Sequence, residues 1–204
     1  LTDRLNVSKK MNGKLKEGIS LYNNKEYEEA IVSFEYILSN NPEDTVAKKY
    51  IALSQNIITR SIEEEALWAE TSSSATLDSY YNYLREYPEG KYADEAKDNI
   101  LFHNALKENT ASSYKKYLDQ SKIKSYEFEA RKRYEELAFE EDWNIAKRVN
   151  TESAYKEFME KHADKNSSDE YLIAGAYIDY YNALELYHQH DYSGARKLFD
   201  NCLK

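Results

Sequence analysis

A ladder of aromatic residues recurs along the chain at a long, nearly regular interval, and that interval restricts the possible folds. Tyr80, Tyr114 and Tyr155 are separated by 34 and 41 residues. Each follows a bulky aromatic residue by twelve positions and a threonine by four, and each precedes another aromatic residue by three. A period of this size is typical of helical hairpins laid side by side, and not of an enzyme core. The three sets are Trp68, Thr76, Tyr80 and Tyr83; Phe102, Thr110, Tyr114 and Tyr117; and Trp143, Thr151, Tyr155 and Phe158.

The composition favours helices and argues against two classes of partner. Five Gly and two Pro in 204 residues leave few of the turns that strands require. A net charge of −9 argues against a nucleic-acid partner, because binding phosphates requires clustered Lys and Arg. No stretch approaches the roughly eighteen consecutive apolar residues of a membrane-spanning helix, so we expect no direct membrane insertion.

The spacing of apolar residues predicts an all-α chain. Thr76, Thr110, Thr151 and Ser168 are predicted N-caps, because their hydroxyls can accept the unpaired N–H groups of a first helical turn. The serine-rich runs at 72–74 and 165–168 are predicted turns. Helices are predicted near 9–23, 26–39, 44–71, 76–86, 91–108, 111–120, 125–149, 152–162, 168–189 and 191–203.

Residues 9–42 carry four landmarks of a known repeat: Gly18, Ala30, Phe34 and Pro42. The small residues allow two helices to cross closely, Phe34 fills the gap beside the next hairpin, and Pro42 ends the second helix. These landmarks resemble those of the tetratricopeptide repeat (TPR) family. The resemblance implies an α-solenoid of stacked antiparallel helix hairpins, coiled as a right-handed superhelix, which holds protein partners.

The same spacing returns at residues 177–204, where Tyr192, Ala195 and Phe199 match the pattern of the first repeat. This second recognisable TPR is apparently truncated, and the face that includes Phe199 and Cys202 has no following helix to cover it. The uncapped last helix is therefore a candidate surface for self-association. Residues 62–175 form three divergent helical repeats, and residues 1–204 as a whole are expected to form a single TPR-like solenoid.

A second, weaker resemblance covers residues 87–96, with Tyr87, Pro88, Tyr92, Ala93 and Ala96 as its landmarks. This segment is similar to the helix junctions of TPR proteins in bacterial envelope assembly. The resemblance leaves the cytoplasm and the bacterial periplasm or cell envelope open as locations.

No motif in the sequence predicts catalysis, a cofactor or a metal. Two histidines at 188 and 190 point to different sides of a helix, and the polar segment around them is interpreted as a hairpin turn. The acidic runs at 63–65 and 140–142 are interpreted as exposed helix faces. The single Cys202 is interpreted as a core residue. We expect a protein that is not an enzyme and has no cofactor.

The expected function is protein–protein interaction, with a peptide or partner helix bound on a concave helical surface. Candidate partner-binding residues are Leu15, Ile19 and Tyr22 on an apolar inner face, with Tyr81 and Tyr181 as aromatic contacts. The alternative is a structural or oligomerisation module within a larger multi-domain or envelope-associated assembly.

Overall fold

The structure, a computed structural model, describes residues 2–202, and for residues 2–5 the backbone alone. Over this range the chain is all-helical, with ten α-helices, a 3-10 helix at Ala163–Lys165 and no strand. The α-helices are Thr2–Asn23 (α1), Tyr27–Asn40 (α2), Thr45–Ser74 (α3), Leu77–Glu86 (α4), Ala93–Glu108 (α5), Ala111–Gln120 (α6), Glu127–Val149 (α7), Glu152–Lys161 (α8), Asp169–His188 (α9) and Tyr192–Asn201 (α10).

The chain divides into two compact units, with the boundary between Ala96 and Lys97 near the start of α5. In the first unit, α1, α2, α3 and α4 pack in chain order, and in the second unit α6 to α10 do the same. Each unit has its own aromatic core. The largest fully buried side chains include Tyr83 and Phe34 in the first unit, and Tyr114, Tyr117, Tyr155 and Phe158 in the second.

The all-helical prediction is confirmed, and the predicted helices agree with the observed ones to within a few residues at most ends. The first helix begins at Thr2 rather than near residue 9. The predicted turn at 72–74 is wrong, because α3 continues to Ser74; Ala75, whose φ is 49°, is its C-cap. The predicted solenoid extends from Leu1 to Lys204, and the last predicted helix ends at Leu203. These three residues lie outside the described residues.

The four predicted N-caps are confirmed. The hydroxyls of Thr76 and Thr110 each accept a hydrogen bond from the backbone N–H three residues later, at 3.1 Å. Thr151 and Ser168 make the same bond at 3.3 Å and 3.2 Å. These residues fix where four of the helices begin, because each satisfies an N–H group that has no partner within its helix.

The close helix crossing predicted at Gly18 is present. A Cβ atom on Gly18 would lie 2.8 Å from the Cζ atom of Phe34, and Ala30 and Phe34 are both 0% exposed. Gly175, on α9, does not lie at such a crossing. A Cβ atom there would meet only Met159, at 3.8 Å, while the neighbouring Ala174 is the fully buried small residue.

Candidate partner-binding surface

The three candidate binding residues of α1 lie against the core of the first unit. Leu15, Ile19 and Tyr22 are half-buried and pack on a cluster formed by α2 and α3. The Tyr22 ring meets the ring of Tyr50 edge to face, with centroids 5.1 Å apart. Each side chain therefore packs on the core with one part and exposes another part to solvent, where a partner could contact it.

The two candidate tyrosines have different surroundings. Tyr81 on α4 is 52% exposed. Tyr181 on α9 is half-buried, and its hydroxyl donates a 2.6 Å hydrogen bond to the carbonyl oxygen of Asn150. Neither tyrosine is among the described members of the cluster that holds the α1 residues. Tyr81 is therefore the candidate with the most free ring surface.

The three aromatic sets of the sequence, with the helices that carry them, form three modules. The first two modules, one in each unit, each contain a stacked pair of rings. Trp68 lies parallel to Tyr92, with centroids 4.9 Å apart and an interplanar angle of 5°. Phe102 and Tyr126 lie in the same relation, at 4.1 Å and 6°. Both members of the second pair stand 34 residues after those of the first, which is the interval of the sequence ladder.

Each of these two modules also contains a carboxylate bridge, in which the carboxylate is half-buried at Glu64 and fully buried at Asp98. In the first unit the Glu64 carboxylate accepts hydrogen bonds from the Tyr83 hydroxyl and from the Lys91 N–H, both at 2.5 Å. The Tyr83 hydroxyl accepts one in turn from the Tyr92 N–H, at 3.1 Å. This network ties α3, α4 and the start of α5 together.

In the second unit Asp98 occupies the position of Glu64. Its carboxylate accepts hydrogen bonds from the Ser121 hydroxyl and from the Ser125 N–H, while the Tyr117 hydroxyl accepts from the Tyr126 N–H at 2.8 Å. Burial raises the pKa of Tyr117 to about 12, and the Asp98 carboxylate contributes to the rise. Burial likewise raises the pKa of Tyr83, with the Glu64 carboxylate adding to it.

The third module replaces this polar bridge with apolar contacts. Phe158 stands where the other modules have a tyrosine, and it packs on Phe139, with ring centroids 5.3 Å apart. Phe139 lies 19 residues before Phe158, as Glu64 does before Tyr83. Carboxylate and hydroxyl are therefore lost together, which avoids a buried polar group without a partner.

Two hairpins, one in each unit, have the same turn. Lys25 and His190 both have a φ of 68°. The rings that flank the turn also match: Tyr22 and Tyr27 are 5.5 Å apart at 70°, and Tyr187 and Tyr192 are 5.4 Å apart at 69°. The α1–α2 and α9–α10 hairpins, 165 residues apart, are thus built alike around this turn.

Helix α9 adds exposed residues to the apolar face of the α9–α10 hairpin, for which the sequence analysis named only Phe199 and Cys202. Ile173, Tyr177 and Tyr180 are 41–45% exposed. Together with Ala176 and Cys202 they line a groove of about 360 Å³. The signal was present in the sequence, because α9 carries apolar residues on all sides and one face cannot bury them all.

The described side chains include no cluster of metal-ligating residues, and the environment of Cys202 favours its protonated thiol. No group of three or more His, Cys, Asp or Glu residues among them could hold a metal ion. Burial raises the pKa of the Cys202 thiol, whose sulfur donates to the carbonyl oxygen of Ala176 at 3.2 Å. A raised pKa disfavours the thiolate form that nucleophilic chemistry needs.

The acidic runs differ from the interpretation as exposed faces at one residue each. Glu64 is half-buried in its bridge, while Glu63 and Glu65 are exposed. Asp142 is half-buried and lies 3.0 Å from the Nε2 atom of His162. Both carboxylates act in packing between helices.

Comparison of the chain with protein-family models, with curated proteins and with solved structures finds no match. Within residues 2–202, no helix combines the length and the apolar character that crossing a bilayer requires.

Proposed function

We propose that this chain is a TPR-like α-solenoid that binds a peptide or partner helix of another protein on a concave helical surface. The observation that carries the proposal is the recurrence of one set of contacts at an interval of 34 residues, from the Glu64 bridge to the Asp98 bridge. Repeated hairpins of this kind build extended binding surfaces.

Binding rests on a surface that is already formed. The buried tyrosines and the capped helix starts hold the helices in place before a partner arrives, which lowers the entropy cost of association. Tyr81 supplies an exposed ring, and tyrosine is enriched among residues that dominate binding energy. The acidic chain favours a partner with basic groups.

The test is selection of ligands from a displayed library of 20-residue peptides on the immobilised chain. We expect related sequences to be enriched, and Tyr81→Ala to weaken their binding by about tenfold or more. Glu28→Ala, at an exposed position of α2, is the matched control and should leave binding unchanged. The absence of any enriched sequence, or equal binding by both variants, would contradict the proposal.

The alternative, a structural or oligomerisation module, is favoured by the exposed apolar residues of α9. Light scattering over a range of concentrations separates the two functions. A stable oligomer that Tyr180→Ser converts to a monomer supports the structural role, whereas a monomer at every concentration supports partner binding.

A further inference from the structure

The two matching hairpins differ in what covers them. On α2, Phe34 and Ile37 are 0% and 2% exposed, because α3 packs across them. Their counterparts 165 residues later, Phe199 and Cys202, are only half-buried. The α9–α10 hairpin therefore has an apolar face of the kind that a third helix covers in the first unit.

The cover on α1–α2 is the first part of α3. Ala47 is 0% exposed against the hairpin, and three residues later the Tyr50 ring lies on Phe34, with centroids 5.0 Å apart and an interplanar angle of 10°. Tyr50 also meets Tyr22 edge to face. Tyr187, the counterpart of Tyr22, is 53% exposed. A small residue followed three positions later by an aromatic one is thus the pattern that fits this kind of face.

We infer that the terminal face, defined as Tyr180, Tyr187, Phe199 and Cys202, binds a basic amphipathic helix of a partner protein in the manner of α3 on α1–α2. This inference rests on the proposed function and specifies where the partner binds and what its helix carries. The groove beside Tyr180 and Cys202, of about 360 Å³, receives an apolar side chain of that helix.

The charges of the α9–α10 hairpin favour a partner helix with a net positive charge. The α9–α10 hairpin, residues 169–202, contains six acidic residues and two basic residues, Arg196 and Lys197, both on α10. In the first unit, the covering segment at 44–60 has three basic residues and one acidic residue. A second copy of the chain does not supply this segment, because its own Ala47 is fully buried on its own hairpin.

The experiment uses a synthetic peptide with the sequence of residues 44–60, labelled with a fluorophore, and the full chain. Binding is measured by fluorescence anisotropy for the unaltered chain and for Tyr187→Ser. The control is Phe128→Ser, which removes a ring that is 85% exposed and lies on α7, outside the terminal face. A second peptide carries Tyr50→Ser.

We expect saturable binding of the 44–60 peptide to the unaltered chain. Tyr187→Ser should weaken this binding at least about tenfold, and Phe128→Ser should change it by no more than about twofold. The Tyr50→Ser peptide should not bind. Equal binding to both chain variants would overturn the inference. So would a dimer of the chain that Tyr187→Ser dissociates without any peptide, because the occupant would then be a second copy. If the 44–60 peptide does not bind while the binding of library peptides still depends on Tyr81, the terminal face is not a binding site and the proposed function still holds.

Discussion

At the scale of single residues, the stability of this protein depends on tyrosine hydroxyls that act as structural hydrogen-bond partners. Tyr83 is 0% exposed, and its hydroxyl lies between the Glu64 carboxylate and the Tyr92 N–H. A buried group of this kind is costly to leave unpaired, so the bridge contributes to stability in addition to the burial of the ring.

Tyr83→Phe removes this hydroxyl and leaves the ring in place. We expect the free energy of unfolding to fall by about 1–3 kcal/mol, because the Tyr92 N–H loses its acceptor and Glu64 loses a donor. Urea denaturation followed by circular dichroism measures the change. The control is Tyr81→Phe, two residues away and 52% exposed, for which we expect a change within about 0.5 kcal/mol. Equal effects of the two substitutions would contradict the role of the bridge.

The sequence predicted the rings of this network and missed its polar half. Tyr83 and Tyr117 were found because their spacing repeats. Glu64 looked like its exposed neighbours, because its partner Lys91 lies 27 positions further along the chain and the two meet only when the chain is folded. The spacing also gave no sign that the hydroxyls of Tyr114 and Tyr155 bond to asparagine side chains, at 3.3 Å and 3.0 Å.

At the scale of helices, the crossing of α1 and α2 depends on the absence of a side chain at Gly18. In Gly18→Ala the new methyl group would lie 2.8 Å from the Phe34 ring, which is fully buried and has no free space to enter. We expect a loss of about 1–3 kcal/mol from overpacking, measured by thermal or urea denaturation.

Gly175→Ala is the matched control, because its new methyl group would meet only Met159 at 3.8 Å. We expect this variant to be neutral or slightly more stable, since alanine favours the helix by about 1 kcal/mol over glycine. A larger loss at Gly175 than at Gly18 would show that the α1–α2 crossing does not set the requirement for glycine.

The N-termini of α4 and α6 have a reciprocal cap that α8 lacks. Ser79 and Ser113 each accept a hydrogen bond from the N–H of the capping threonine, and each donates to a carbonyl of the preceding helix. The equivalent residue of α8 is Ala154. Ala154→Ser should raise the free energy of unfolding by about 0.5–1 kcal/mol, whereas Ser113→Ala should lower it. Stabilities measured in urea that move in the same direction would contradict this explanation.

Helix positions were predictable because local signals agreed with the apolar pattern. Thr76, Thr110 and Thr151 fix three starts, and the polar turn after Asn23 separates the first two helices. The end of α3 was misplaced because Ala75 carries no signal for its left-handed conformation, whereas Asn109 and Asn150 hold the equivalent positions with a residue that tolerates it. Which apolar residues of α9 remain exposed depends on packing partners, which a sequence pattern does not show.

At the scale of the whole molecule, each unit contains at least one buried tyrosine that resists ionisation. Tyr83 lies in the first unit, and Tyr117 and Tyr155 lie in the second. Burial raises the pKa of all three, so the folded chain holds their protons at pH values where an unfolded chain releases them. Both units are therefore expected to lose stability in alkali, in addition to any effect of the growing negative charge.

The alkaline loss of stability has a definite direction and range of pH. An unfolded tyrosine ionises near pH 10, and Tyr117 in the folded chain has a pKa of about 12. Between these values the unfolded chain binds fewer protons, so the free energy of unfolding falls as pH rises. The contribution is complete below about pH 10 and is lost as pH rises through about 12.

Urea denaturation of the unaltered chain and of Tyr117→Phe, at half-unit steps from pH 8 to pH 11.5, isolates this contribution. The variant should be less stable at pH 8, because the Tyr126 N–H loses the acceptor that it has at 2.8 Å. Above pH 10 the two stabilities should converge by about 2 kcal/mol, since phenylalanine has no proton to lose. Tyr81→Phe, at an exposed site, should follow the unaltered chain at every pH. Curves for the unaltered chain and Tyr117→Phe that stay parallel to pH 11.5 would mean that Tyr117 ionises alike in the folded and unfolded chain, and that the carboxylate-bridged core is open to solvent.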